Sequence, residues 1–335
     1  MAGITPVGSF SRDPGLRGQL ESRRHLLSIV PAIQDREDVR TLLSEVDAAL
    51  ARFDDGSFGA CDGCHDPIET ERLAADPLTR VCLDCLSEEQ SRALERDLEL
   101  ASTIQVRLLP PPSVHANGWE VGYRYLPAGP VSGDYCDVLP ADGPSNPMHF
   151  VLGDVSGKGV AASILMANLQ AIFRSLVPLG LPLRRLVEQA NRLFNGSTLP
   201  ESYATIVVGR LHTTGSLEIV NAGHPAPLLV RNGQTAELDA TGVPLGLFHD
   251  ARYEARRFEL GKGDLLFLYS DGVSEARNSA DQLLGSRRIG SVVATAGAAG
   301  VEEVLQGCLD DLTAYCDGGS RDDDVTLLAV SRVSR

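Results

Sequence analysis

The feature that most constrains this chain is an apolar run that stops at an aspartate and turns through glycines into a helical pattern. Residues 149–160 read His-Phe-Val-Leu-Gly-Asp-Val-Ser-Gly-Lys-Gly-Val, so Asp154 stands where a buried strand meets a loop. A Walker A phosphate loop needs four residues between its glycines and Ser or Thr after the lysine. Here three residues intervene, and another glycine follows Lys158. The glycines therefore indicate a tight turn beside Asp154, whose carboxylate can reach a ligand.

Three other acidic segments have the same position at a strand end. Asp134 and Asp137 come shortly before an apolar pair, Asp271 follows an apolar run, and Asp322, Asp323 and Asp324 precede the last apolar run of the chain. Clustered carboxylates repel one another unless metal ions neutralise them. Oxygen ligands suit magnesium or manganese, and two such ions can activate water for attack on a phosphate. One such aspartate could be an ordinary turn residue, but the four together predict an acidic pocket for two metal ions.

Four of the seven cysteines have the spacing of metal ligands. Cys61 and Cys64 form one Cys-x-x-Cys pair, and Cys82 and Cys85 form a second. Each pair presents two thiolates on a tight turn, and structural zinc takes four. Two disulfides are the alternative, which a chain without an export signal disfavours. The spacing predicts one structural zinc ion, and the remaining cysteines are expected to be small buried apolar residues.

The formal net charge of −15 limits the partners of the chain. Neither nucleic acid nor an anionic membrane would be attracted to such a surface. The N-terminus lacks the apolar core of a signal peptide, and Asn168 and Gln170 interrupt the apolar stretch at residues 160–173, so no run is expected to span a bilayer. We therefore expect a cytoplasmic protein without a direct nucleic-acid or membrane partner.

Hydrophobic periodicity predicts a helical N-terminal part. Residues 16–29 and 38–53 have helical spacing and could form an antiparallel hairpin. Residues 88–109 repeat apolar side chains at three- and four-residue steps. This segment is either a coiled coil that makes a homodimer or a linker helix packed on its own chain. Three prolines at residues 110–112 end it and mark the main domain boundary.

The remainder of the chain has the pattern of an α+β layered domain. Short strands joined by turns favour antiparallel pairing. Strands are predicted at residues 120–126, 148–154, 204–212, 217–222, 228–231, 253–260, 264–270 and 324–333, and helices at residues 160–177, 183–194 and 301–315.

The cysteine-containing segment has a further resemblance. Residues 48–64 read Ala-Ala-Leu-Ala-Arg-Phe-Asp-Asp-Gly-Ser-Phe-Gly-Ala-Cys-Asp-Gly-Cys, and residues 82–85 read Cys-Leu-Asp-Cys. This sequence resembles the DksA/TraR-type zinc finger, a family with members that contact RNA polymerase. Residues 54–86 hold eight acidic residues and two arginines, which disfavours a DNA-binding finger. The module is either an element that binds a regulatory protein or senses a signal, or a purely structural unit.

A second resemblance covers the C-terminal part. The motifs that carry it are Leu-Ala-Ser-Thr-Ile-Gln-Val-Arg-Leu-Leu-Pro at 100–110, Ser-Gly-Asp-Tyr-Cys-Asp at 132–137, Gly-Asp-Val-Ser-Gly-Lys-Gly at 153–159, Asn-Ala-Gly-His-Pro at 221–225, Gly-Val-Pro-Leu-Gly at 242–246, Tyr-Ser-Asp-Gly-Val at 269–273 and Asp-Asp-Val-Thr at 323–326. Together they resemble the PPM-type metal-dependent serine/threonine phosphatases, specifically the SpoIIE-like, sigma-regulating branch. The resemblance implies a β-sandwich flanked by helices on both faces.

The resemblance also implies roles for single residues. The two manganese or magnesium ions are bound by Asp134, Asp154, Asp271 and Asp323, with the backbone carbonyl of Val155, and Asp154 and Asp271 act in catalysis through the activated water. Eukaryotic-type members have histidine two residues after the Asp154 position, a candidate proton donor; Ser156 stands there in this chain, and the donor is unassigned. His224 could be a catalytic group or could hold its loop by hydrogen bonds.

Two classes of function follow. The first is a protein phosphatase that acts on a phosphorylated protein, an anti-sigma factor antagonist of the STAS type in a partner-switching pathway. The second is a non-enzymatic transcription regulator that acts through the zinc module, with the phosphatase fold as a scaffold. The expected divisions are a tail and helical segment at 1–53, the zinc finger at 54–86, the linker helix at 87–112 and the phosphatase domain at 113–335.

Overall fold

The chain folds into two compact units, Met1–Asp97 and Leu98–Arg335. The computed structural model describes residues 14–29, 37–86, 88–140, 143, 146–297, 299–316 and 323–333. The boundary between the units lies within a long helix, α4 (Glu88–Leu108).

The first unit is a helical hairpin joined to the cysteine-containing module. Ion pairs from Arg17 to Asp54 (2.9 Å) and from Arg24 to Asp47 (2.6 Å) show that the two helices of the hairpin run antiparallel. The unit has a small apolar core that includes Phe53, which stacks on Phe58. The helices are α1 (Pro14–Ile29), α2 (Glu37–Asp55) and α3 (Thr70–Ala75), and a 3₁₀ turn covers Leu83–Cys85.

The second unit contains two sheets, and neighbouring strands are antiparallel within each. The six-stranded sheet has the order β1-β2-β11-β10-β7-β8, and the five-stranded sheet has the order β3-β4-β5-β6-β9. The strands are β1 (Ser113–Ala116), β2 (Trp119–Leu126), β3 (Asp134–Leu139), β4 (Met148–Val155), β5 (Ala204–Leu211), β6 (Ser216–Ala222), β7 (Leu228–Arg231), β8 (Gln234–Glu237), β9 (Arg256–Glu259), β10 (Leu265–Tyr269) and β11 (Val325–Arg332).

Helices cover the outer face of each sheet. The helices are α5 (Gly159–Leu176), α6 (Leu183–Ser197), α7 (Asp271–Ser274), α8 (Gly285–Ala296) and α9 (Val301–Tyr315). One apolar core lies between the sheets, a second between the five-stranded sheet and α5 and α6, and a third between the six-stranded sheet and α8 and α9. The predicted β-sandwich with helices on both faces is therefore confirmed.

Several elements differ from the sequence-based prediction. The strands β1, β3 and β8 and the helices α3, α7 and α8 were not predicted, and the strand expected at 253–260 is limited to β9. Among the described residues, one helical segment, Gly159–Leu179, is long and apolar enough to cross a bilayer by length and composition, against the expectation that no run is. It contains α5, whose residues Leu169 and Phe173 are fully buried against the sheet.

The close packing between the sheets gives a stability prediction at Gly209. This residue pairs with Phe150 across β4 and β5, and a Cβ atom at residue 209 would lie 2.0 Å from the Phe150 ring, which is fully buried. We expect Gly209→Ala to lower the free energy of unfolding by about 1–3 kcal/mol, because the ring has no free volume to move into. Gly196→Ala is the control, since no atom lies within 4 Å of a Cβ there. Urea unfolding of both variants checks this, and equal stabilities would contradict it.

A second prediction concerns acid stability and His149. Its Nε2 accepts a hydrogen bond from Arg210 Nε (2.9 Å), and burial, followed by the charge of Arg210, lowers the pKa of His149 to about 3. In the unfolded chain this histidine takes up a proton as the pH falls through about 6.5, whereas in the folded chain it stays neutral until the pH approaches 3. Wild-type stability should therefore fall relative to His149→Gln, which keeps an acceptor, as the pH drops from about 6.5 towards 3. The expected relative loss is about 3 kcal/mol near pH 4.5. Urea unfolding at several pH values measures it, and a pH-independent difference would contradict the assignment.

Candidate metal centre

The five-stranded sheet places two of the predicted aspartates side by side. Asp134 begins β3, Asp154 lies near the end of β4, and the two are direct partners in the strand pairing. Asp134 is two residues before Cys136, and Asp154 is two residues after Leu152; both of these neighbours belong to the core between the sheets. The two aspartates therefore lie on the inner face, at one end of the sandwich. Asp134 is 1% exposed, and its Oδ2 accepts a hydrogen bond from the Thr326 hydroxyl of the opposite sheet.

The six-stranded sheet brings the other two aspartates to this end. Asp271 follows β10 and begins α7, and Asp323 precedes β11, the strand paired with β10. The two segments approach closely, because a Cβ atom on Gly272 would lie 2.1 Å from the carbonyl oxygen of Asp324 and 3.3 Å from the Cβ of Asp323. Only glycine fits between them.

The aspartates of this cluster have too little positive charge around them to balance their own negative charges. Burial, followed by repulsion from Asp271 and Asp323, raises the pKa of Asp154 to about 7. Burial and then Asp154 raise the pKa of Asp134 well above its usual range, and burial and then Asp323 raise that of Asp271. The Lys158 ammonium lies 3.0 Å from Asp323 Oδ2 and contributes one positive charge.

These residues fit divalent cations by charge and by donor type. Buried carboxylates that raise one another's pKa are stabilised by a cation, and oxygen donors suit magnesium or manganese. Among the described residues, only the four cysteines gather their ligand atoms tightly enough to enclose a single ion. The aspartates are not gathered in this way, as expected for ligands shared between two ions a few ångströms apart.

Asp324 has a structural role that the sequence analysis did not predict. Its Oδ1 accepts a hydrogen bond from Ala128 N (2.8 Å), and its Oδ2 accepts one from Gly133 N (3.0 Å). It therefore fixes the loop that leads into Asp134. The Asp-Asp-Val-Thr motif marked the segment, but the sequence could not show which aspartate turns towards the loop.

The same loop is fixed from α4 by Gln105. This buried side chain donates to Ser132 O (2.8 Å) and accepts from Ser132 N (2.9 Å). The carbonyl of Leu108 at the end of α4 accepts hydrogen bonds from Gln170 and Arg174 of α5, and Arg174 is paired with the buried Asp137. The C-terminal half of the predicted linker helix is thus packed within the second unit.

The remaining candidates lie around the aspartates in different roles. Val155 is buried at the end of β4, and its carbonyl oxygen would lie 3.2 Å from a Cβ on Gly133, so it borders the Asp134 loop. The Ser156 hydroxyl accepts a hydrogen bond from Tyr203 N (3.0 Å) and Ser156 N donates to Tyr203 O (2.9 Å).

His224 holds its loop in place. Its amide N–H donates to Asn221 Oδ1 (2.9 Å), its carbonyl accepts from Asn221 Nδ2 (3.0 Å), and its Nδ1 lies 2.9 Å from the Thr205 hydroxyl. Burial lowers its pKa to about 3, which keeps the ring neutral. Of the two roles that the sequence left open, these contacts favour the loop role.

The four cysteines of the first unit converge on one point. Their sulfur atoms all lie within 4.8 Å of one another, and Cys64 Sγ is 3.6 Å from Cys82 Sγ. Sulfurs around tetrahedral zinc, with bonds of about 2.3 Å, are about 3.8 Å apart. The amides of Gly63 and Cys82 each donate to Cys61 Sγ at 3.3 Å, and backbone hydrogen bonds, that of Cys64 first, lower the pKa of Cys61 to about 6. The arrangement fits one zinc ion.

Comparison with known proteins agrees with both parts of the structure. The sandwich and its strand-end aspartates define a PPM-type phosphatase domain. The family model described as Stage II sporulation protein E (SpoIIE) matches residues 144–333, more than half of the chain. The chain therefore belongs to the SpoIIE family. A second model, the prokaryotic dksA/traR C4-type zinc finger, matches residues 56–90.

Individual relatives are distant. Protein IcfG of Synechocystis is 26% identical over 70% of this chain and 41% of its own length, and the phosphoserine phosphatase RsbU of Bacillus subtilis is 23% identical over 71% of each. The chain thus spans less than half of IcfG. Among solved structures, the RsbU and RsbW domains of a Mycobacterium tuberculosis protein align with a TM-score of 0.56 and 28% identity, over 67% of this chain and 62% of that one.

Proposed function

We propose that this chain is a metal-dependent protein serine/threonine phosphatase with a binuclear manganese or magnesium centre. The observation that carries the proposal is the convergence of strand-end aspartates from both sheets at one end of the sandwich. In this proposal the ligands are Asp134, Asp154, Asp271 and Asp323, with the carbonyl of Val155. A non-enzymatic scaffold has no need of a buried cluster of mutually repelling carboxylates, since their burial costs stability.

The chain's own groups prepare this end of the sandwich for a phosphoserine. The bound ions would supply positive charge for the phosphate and activate a water molecule, which Asp154 and Asp271 would face. Thr326 fixes the orientation of Asp134 by its hydrogen bond, and Asp324 fixes the loop in front of it. Lys158, at the start of α5, extends positive charge beside Asp323. The glycine at residue 272 lets the two acidic segments approach.

We further propose that the substrate is a phosphorylated anti-sigma factor antagonist of the STAS type and that the protein acts in the cytoplasm. Membership in the SpoIIE family and the likeness to RsbU support a partner-switching role. The zinc module would bind one zinc ion and a regulatory protein, and the exposed apolar residues Leu100 and Ile104 of α4 would allow a homodimer. The divisions at 1–53, 54–86, 87–112 and 113–335 remain the proposed functional segments.

The test is hydrolysis of a short phosphoserine peptide and of p-nitrophenyl phosphate by the full chain, with and without manganese. We expect turnover in manganese and none after treatment with EDTA. A chain that binds manganese but hydrolyses neither compound would contradict the proposal.

A further inference from the structure

The second unit exposes a group of large apolar side chains beside the candidate metal centre. We name this group the apolar rim; it consists of Val160, Ile164, Leu199, Tyr203, Leu247 and Phe248. Ile164, in α5, is 63% exposed, and Phe248, in the loop after β8, is 62% exposed. A contiguous exposed apolar patch on a folded domain marks a binding surface, whereas single exposed apolar residues do not.

Backbone hydrogen bonds place part of the rim directly beside Asp154. Ser156, two residues after Asp154, is held to Tyr203 by the pair of hydrogen bonds at 2.9 and 3.0 Å. Ala204 and Leu245 exchange backbone hydrogen bonds of 2.9 and 2.8 Å, which fasten the 242–248 loop next to Tyr203. The rim residues of that loop therefore lie close to the end of β4.

The start of α5 extends the rim along the helix. Val160, Ile164 and Asn168 are spaced four residues apart and share one face. Asn168 Nδ2 donates to Ser197 Oγ (2.9 Å), so this face is turned towards the end of α6 and the segment that carries Leu199. Ile164 lies about 8 Å along the helix axis from the glycine turn beside Asp154.

The rim is held in shape by the protein itself. Asn191 Nδ2 donates to the carbonyls of Phe248 (2.9 Å) and His249 (3.0 Å), and Asn195 Nδ2 donates to Gly246 O. The buried Asn191 and the half-buried Asn195 thus fix the backbone of a loop that presents Leu247 and Phe248 outward. A surface fixed in this way loses little conformational entropy when a partner binds.

The rim carries almost no charge, which favours an apolar partner surface. Within residues 160–168, 198–203 and 243–248, Glu201 is the only residue that is charged at neutral pH, whereas the whole chain carries −15. A phosphoserine adds about −1.5 to −2 charges to its own protein, and the net negative charge of this chain repels those charges. An uncharged apolar contact supplies affinity that this repulsion does not cancel.

We propose that the apolar rim is the docking surface for the folded phosphoprotein substrate, which covers it with apolar side chains that flank the phosphoserine. This inference rests on the proposed phosphatase function. A small phosphate ester that occupies the metal centre would not reach Ile164 or Phe248. The rim therefore contacts protein substrates but not small ones. Mutations in the rim should slow the hydrolysis of a protein substrate more than the hydrolysis of a small phosphate ester.

The test compares substrates in the full chain carrying both Ile164→Ser and Phe248→Ser. The substrates are a phosphorylated STAS-type antagonist domain from the same genome and p-nitrophenyl phosphate, and the measured quantity is the ratio of kcat/KM for the first to kcat/KM for the second. We expect the ratio to fall at least tenfold, as for loss of central contacts in an interface. Leu179→Ser, at the opposite end of the same helical segment and 63% exposed, should leave the ratio unchanged.

The outcomes separate the docking surface from the phosphatase function. An unchanged ratio in the double variant, or an equal fall in Leu179→Ser, overturns the docking surface. Failure of the wild type to hydrolyse p-nitrophenyl phosphate contradicts the function instead. In that case hydrogen exchange of residues 199–203 and 243–248, with the phosphorylated domain added in metal-free buffer, still decides the docking: we expect protection, and its absence overturns the proposal. Sedimentation of wild type, but not the double variant, with phosphatidylserine vesicles would also overturn it.

Discussion

Asp271→Asn should nearly abolish phosphatase activity, stabilise the metal-free protein and weaken the stabilisation by metal. In manganese, kcat/KM for a phosphoserine peptide should fall by at least about 100-fold, because one anionic ligand is lost from the proposed centre. Without metal the variant should melt above the wild type, because a buried carboxylate next to Asp323 is replaced by a neutral amide. With metal the wild type should gain about 2–3 kcal/mol near 100 times its Kd, and the variant should gain less.

Activity assays and thermal unfolding with and without manganese measure both effects. Asp250→Asn is the matched control, since this aspartate has a side chain that is 85% exposed and lies outside the candidate centre. Circular dichroism establishes that each variant is folded. Wild-type turnover in metal-stripped buffer at the rate seen in manganese would refute the binuclear mechanism.

Replacing Cys61 and Cys64 together by serine should unfold the first unit without unfolding the second. The core of the first unit is small, and Cys61 and Cys82 belong to it. A module of this size depends on its metal for most of its stability, so loss of two ligands removes folding free energy directly. We expect zinc content to fall from about one ion per chain to none.

Hydrogen exchange resolved by segment is the measurement for this double variant. Residues 54–86 should lose protection, whereas β4, β5, β10 and β11 should keep it. Cys316→Ser, which alters a cysteine of the second unit, should retain zinc. Purified wild-type protein without zinc under reducing conditions, or a double variant with unchanged protection in residues 54–86, would show that the cysteines do not form a structural metal site.

The sequence was sufficient to predict the elements that bury a regular apolar pattern. The strands β4, β7, β10 and β11 and the helices α5 and α9 begin and end within a few residues of the predicted positions. The four strands are nearly continuous apolar runs, and the two helices repeat apolar residues at helical spacing, so no distant partner is needed to recognise them.

The missed elements depend on partners that are distant in sequence. All four residues of β8 are exposed, so no alternating pattern marks it, and its pairing with β7 makes it a strand. Within β3, Asp137 is fully buried and forms an ion pair with Arg174 of α5, a partner that the local sequence does not reveal. In α8 a narrow apolar stripe of Ile289 and Val293 is interrupted by Gly290. Propensity within such segments is too weak to predict the fold that tertiary contacts impose.

Prediction of the candidate centre was also limited by contacts between residues that are distant in sequence. The four acidic segments could be recognised from sequence because each ends or precedes an apolar run, and the family resemblance then selected one aspartate in each. The groups that orient them could not, since Thr326 reaches Asp134 and Asp324 reaches Gly133 across nearly 200 residues of chain. Such contacts follow from the sheet order, which a single sequence does not state.

The origin of the aspartates in two different sheets has a consequence for the synthesis and folding of the protein. Asp134 and Asp154 belong to the five-stranded sheet, whereas Asp271 and Asp323 flank strands of the six-stranded sheet. Neither sheet alone holds all four aspartates, so in the proposed centre a nascent chain could not bind both ions until synthesis has passed β11 and the two sheets have packed together. Ions bound by all four aspartates would then stabilise the packing of one sheet on the other, and a truncated or partly unfolded chain would be inactive rather than weakly active.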